Sequence, residues 1–64
     1  MMETNRAKIV RRLERDGWTL LRSGSEHDNY ARPGETTPVV VPRHRDLSVG
    51  VARQIHKRAN WSMS

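Results

Sequence analysis

The sequence predicts an α+β domain of order α-β-β-β-α, a three-stranded antiparallel sheet with two helices on one face. Three observations carry this expectation. Apolar residues recur at helical spacing in one stretch near the N-terminus and another near the C-terminus. Between them the period falls to two, the alternation of strands. The turns separating those strands are short, which leaves antiparallel pairing as the only way to join them. At 64 residues the chain is expected to form a single domain over residues 1–64, with a core of about 4–60. A chain of this size buries only roughly 60% of the surface it exposes when unfolded, so one two-layer core is all it can build.

The first helix is expected from Glu3 to Asp16, with Thr4 as the N-cap accepting from an amide of the first turn. Ile9, Val10 and Leu13 share a face, with Arg6 and Met2 extending the same stripe. Gly17 ends the helix, since it takes the left-handed conformation without a Cβ penalty. Trp18 to Arg22 is the first strand. Apolar residues fall on both of its sides, so cover on each face is expected. Ser23-Gly24-Ser25 is the hairpin turn, with Gly24 suited to positive φ. Glu26 to Ala31 is the second strand, with His27, Asn29 and Ala31 on one face and Asp28 and Tyr30 on the other. It is poor in apolar residues, the mark of an edge strand or a site.

Arg32-Pro33-Gly34-Glu35 forms the next turn, and Thr36 to Val41 the third strand. Its Val39-Val40-Val41 run is β-branched throughout, and Pro42 stops it. Ser48 or Asp46 caps a second helix from about Val49 to Asn60, with Leu47, Val51, Ile55 and Ala59 toward the sheet. Trp61-Ser62-Met63-Ser64 shows no pattern. The whole is the layout of the double-stranded-RNA-binding domain, and layout alone does not give function.

Composition narrows the classes. There is no Cys, which removes disulfides and thiolate metal sites. No apolar run reaches the length of a membrane span and no signal-peptide pattern opens the chain; a cytoplasmic protein without a membrane partner is expected. Charge is the informative total: 12 Lys and Arg against 7 Asp and Glu, a net +5. Residues 43–64 carry five basic groups and one acidic group, residues 1–17 five and three. Clustered arginine of this kind is the footprint of a nucleic-acid binder, and charge alone fits a solubilising surface as well.

Three histidines are candidates for chemistry. None stands at metal-ligand spacing to another, so no metal site and no small-molecule cofactor are expected. His56, beside Ile55 on the second helix, reads as a surface residue. His44 lies in the basic loop Arg43-His44-Arg45, suited to phosphate contact or to anchoring the loop. His27 differs, because it follows a turn on a polar strand with Arg22, Asp28 and Tyr30 near in sequence. Imidazole exchanges a proton near neutral pH, and on a basic surface it suits deprotonation of a ribose 2′-OH; the alternative is an ordinary surface histidine. Tyr30 is expected to pack.

The order of these features resembles the HicA toxins, small mRNA interferases of bacterial HicA–HicB toxin–antitoxin pairs. The resemblance runs from Ile9 to about Ala59: Asp16-Gly17-Trp18, Arg22, the Gly-Ser turn, His27, Tyr30, the valine strand, Pro42-Arg43-His44 and the closing helix. Many relatives have Gly-Ser-His, which would place Glu26 in the histidine's position. The family's histidine, however, stands five residues after the arginine and three before the aromatic, and Arg22 and Tyr30 both assign it to His27. The resemblance implies ribosome-independent cleavage of mRNA by a single histidine and neutralisation by a HicB-like antitoxin protein. Because the polar strand holds no cluster of carboxylates to bind ions, that cleavage is expected to be metal-independent. Arg22, Arg43, His44 and Arg45 are the expected RNA contacts. A non-catalytic RNA-binding module of the same fold is the alternative, and an interaction domain for an acidic partner is a third reading.

Overall fold

The computed structural model describes residues 2–61. Residues 62–64 of the patternless tail lie outside the described residues. Helix α1 spans Arg6–Arg15, strands β1, β2 and β3 span Thr19–Ser23, His27–Ala31 and Val39–Pro42, and helix α2 spans Val49–Arg58. The strands form one antiparallel sheet in the order β1-β2-β3. The expected element order, pairing and fold class are all present.

Both helices cover the same sheet face. Tyr30 of β2 and Val39 and Val41 of β3 are buried there against Ile9 and Leu13 of α1 and Ala52 and Ile55 of α2. The other face carries His27, Asn29 and Val40, and among the described residues no element packs on it. β2 is the central strand, not an edge. Its polar composition follows from having only one covered face, on which Tyr30 supplies the apolar burial. β1 is exposed along its whole length, which corrects the expectation of cover on each face. A bulge between Leu20 and Arg22 shifts its register, and neither helix reaches far enough to shield Leu20 or Leu21.

Helix α1 begins at Arg6, not at the expected Glu3, and its cap lies one residue later than expected. Asn5, not Thr4, caps α1, its side chain accepting from the Lys8 N–H over 3.1 Å. Thr4 is unavailable because its segment is paired: its carbonyl accepts from the Leu47 N–H, the Arg45 carbonyl accepts from the Arg6 N–H, and Asn5 bridges Asp46. The chain start is thereby pinned to the β3–α2 loop. Ser48 caps α2 as expected, accepting from Val51.

Both helices close in the same way. Gly17, at φ 96°, donates to Glu14, and Trp18 donates to Leu13. Asn60, at φ 62°, donates to Lys57, and Trp61 donates to His56. Each is a Schellman closure, with a left-handed residue followed by one that folds back over the last turn. In both cases the residue folding back is a buried tryptophan with an arginine over its ring, Arg32 on Trp18 and Arg12 on Trp61. Trp61 also donates from Nε1 to Asp16 at 2.6 Å, tying the end of α2 to the end of α1. His56 is pulled inside by this closure. It is 2% exposed, sits edge-on to Trp61, and has Nε2 3.2 Å from the Glu3 carbonyl. The surface role expected for it is therefore wrong.

Candidate active site

His27 opens β2 and stands opposite Pro42 of β3. Its side chain is exposed, as the period-two pattern requires for the uncovered face. It lines an open cleft of about 470 Å³ with Glu26, Val40, Pro42, Arg43 and His44. Arg22 pairs in register with Asn29, which places it on the same face one strand away. His27, Arg43 and His44 thus line one concavity, while Arg22 shares the sheet face without lining it. Arg45 does not line that cleft; it lines a neighbouring one with Asn5 and Arg6.

The turn before His27 is held by backbone. The Gly24 N–H donates to the His27 carbonyl at 2.9 Å, and the Arg43 N–H donates to the Glu26 carbonyl at 2.9 Å. Gly24 does not adopt positive φ, contrary to expectation. It is needed for close approach instead, since a Cβ there would stand 2.8 Å from the His27 carbonyl oxygen. Glu26 stays in the turn while His27 takes the first strand position.

Behind His27, on the covered face, lies a charged network. Asp28 is buried and its Oδ2 accepts from Arg6 at 2.7 Å. Its Oδ1 accepts from Arg43 Nη2 at 2.9 Å, Arg43 Nε at 3.1 Å and the Ser23 hydroxyl at 3.0 Å. Arg43 also donates to the Ser23 hydroxyl, and Arg6 Nε donates to the Pro42 carbonyl at 2.8 Å. The hydrogen bonds from Arg43 hold the Asp28 carboxyl below the ordinary carboxylate range, helped by Ser23 and by the charges of Arg43 and Arg6, against burial, which pushes it up. A carboxylate so occupied fixes positions and is not available to exchange protons. It joins α1, the end of β1 and the start of the β3–α2 loop around the end of β2 that bears His27.

Sequence reasoning missed this network, although two signals were present. The alternation of β2 placed Asp28 inward beside Tyr30, and the apolar stripe of α1 contained Arg6. Two opposite charges at core-facing positions of different elements call for each other, because neither is stable there alone. Arg43, expected as an RNA contact, spends much of its guanidinium on Asp28. Tyr30 packs as expected, and burial pushes its phenol up, with Arg6 pulling the other way.

Lys8, Arg11 and Arg15 are exposed on α1, and Arg53, Lys57 and Arg58 on α2. They lie on the helical side, away from His27, so their charge acts there through the long-range field and not by contact. Among the described residues, no group of three or more His, Asp or Glu side chains converges as a metal site, and no helix is long and apolar enough to cross a membrane.

The element order and the bare, histidine-bearing sheet face define a small basic α+β domain of the double-stranded-RNA-binding layout. The family model for the HicA toxin of bacterial toxin–antitoxin systems matches residues 6–61, and the chain belongs to that family. A comparison with curated proteins gave no match.

Proposed function

We propose that this chain is the toxin of a toxin–antitoxin pair and acts as a metal-independent endoribonuclease on mRNA, with His27 as its acid/base group. The observation that carries this reading is the position of His27, exposed beside Arg43 and His44 in a cleft on the uncovered sheet face. Its near neighbour Asp28 is saturated by Arg6, Arg43 and Ser23. An RNA strand laid on this face brings a ribose 2′-OH to the imidazole. The imidazole takes the 2′-OH proton, the 2′-oxygen attacks the adjacent phosphorus, and the P–O5′ bond breaks. The imidazolium then returns its proton to the departing 5′-oxygen. The products are a 2′,3′-cyclic phosphate and a 5′-hydroxyl, with the nucleophile supplied by the substrate itself. Arg22 and His44 contact the phosphate, and cationic side chains offset charge gathering on its oxygens.

A HicB-like antitoxin protein restrains the enzyme by covering the His27 face, and the net +5 charge favours an acidic inhibitor through steering. The test is end-group analysis of RNA cut by the wild type and by His27→Ala, with and without EDTA. A parallel substrate carries one 2′-deoxy position at the cut. The His27 side chain is exposed and, among the described residues, no side-chain hydrogen bond or ion pair involves it, so the variant keeps its fold within about 0.5 kcal/mol and loses cleavage. Products with 5′-phosphate ends, or cutting that survives the 2′-deoxy substitution, would refute the mechanism.

A further inference from the structure

The β3–α2 loop stands between two clefts. One holds His27; the other, of about 700 Å³, is lined by Asn5, Arg6, Asp28, Arg43, His44 and Arg45 among others. Arg43 and His44 line both, so the clefts share a wall. We propose that the second cleft is a subsite for a phosphodiester of the RNA strand adjacent to the one at His27, with Arg45 as its principal cation. This rests on the ribonuclease reading above.

The charge around the cleft supports an anion. Arg6 and Arg43 share a single carboxylate, Asp28, which leaves one positive charge in excess. Arg45 is exposed and, among the described residues, has no carboxylate within ion-pair distance. Its backbone is nonetheless fixed, because its carbonyl accepts from the Arg6 N–H at 2.9 Å and the next residue, Asp46, bridges Asn5. A pinned backbone with an uncommitted guanidinium can meet a ligand without first breaking an ion pair. The shared wall selects the kind of anion. A strand seated at His27 and continuing over Arg43 and His44 enters this cleft with its next phosphates, whereas a detached small anion would have no reason to span both. An acidic protein segment satisfies the charge equally well, but the continuity with the His27 cleft favours the nucleic-acid strand.

The experiment measures binding of a single-stranded oligoribonucleotide across a salt series. His27→Ala serves as the parent so that the probe stays whole. Each phosphate contact adds about 0.7 to the steepness of log K against log salt for single strands. Adding Arg45→Gln should flatten the slope by about that amount, Arg45→Lys should restore it, and Arg53→Gln on α2, which removes the same charge elsewhere, should leave it unchanged. Equal slopes for Arg45→Gln and Arg53→Gln would overturn the subsite. So would an Arg45→Gln effect on polyglutamate binding with none on RNA, which would assign the cleft to an acidic protein. Cleavage by the wild type, measured alongside, separates the two failures. If RNA is cut while the slopes are equal, only the subsite falls; if RNA is neither cut nor bound, both readings fall.

Discussion

Replacing Gly24 by alanine tests how tightly the hairpin turn is fitted to the strand that bears His27. The added Cβ would stand 2.8 Å from the His27 carbonyl oxygen, and ordinary contact begins at 3.4 Å, so the two must separate by about 0.6 Å. The obstructing atom is backbone and accepts the Gly24 N–H at 2.9 Å, so no side chain can rotate away to relieve it. The displacement falls on the first residue of β2. Forced shifts of this kind cost about 1–3 kcal/mol, from a total of about 3–10 kcal/mol for a domain of 64 residues. Misplacing a reacting group by about 1 Å costs on the order of 100-fold in rate, so a shift of this size should slow the proposed RNA cleavage by roughly tenfold or more. Urea denaturation reads the stability, and single-turnover cleavage at a temperature where the variant stays folded reads the rate. Wild-type values in both would refute the close approach. Lost stability with unchanged cleavage would refute the claim that the turn positions His27.

Three further outcomes are expected. Gly50→Ala should stabilise the protein by about 0.5–1 kcal/mol, because Gly50 lies in α2 and a Cβ there meets nothing within 4 Å; a loss of stability in urea would contradict that open surround. Tyr30 is the one tyrosine, so phenolate absorbance titrates it alone. Its midpoint should lie above the ordinary value of 10.0, and since the folded pKa is the higher one, the stability it contributes is present below that value and lost as pH rises through the folded midpoint; a midpoint at or below 10.0 would contradict its burial. For Asp28 the sign is reversed. Its folded pKa is lowered, so its contribution is present above the ordinary value of 3.8 and lost as pH falls below it; Asp28→Asn should be less stable at neutral pH and show a shallower acid limb in urea titrations, and an unchanged acid limb would refute the role of the network.

Local patterning was enough for the architecture. The helical period of Ile9, Val10 and Leu13, the valine run of β3 and the turn residues between strands each decide an element without help from distant residues. The place of His27 on the uncovered face was legible for the same reason, since alternation along β2 separates it from Asp28 and Tyr30 whatever else the fold does. Even the closure of α2 had a local signal, because Asn60-Trp61 repeats the chemistry of Gly17-Trp18 with the other residue that tolerates the left-handed conformation.

What only the tertiary structure decided is what those faces meet. His56 looks like a surface residue from its helix alone, and becomes buried because Trp61 folds back beside it and the chain start crosses over it. Arg43 looks like a free phosphate ligand in its loop, and becomes half of a clamp because β2 presents Asp28 to it from fifteen residues away. Arg45 falls into a different cleft from His27 because the N-terminal segment pairs with its loop. These outcomes depend on contacts between segments far apart in sequence, and no period or propensity within either segment encodes the distance between them.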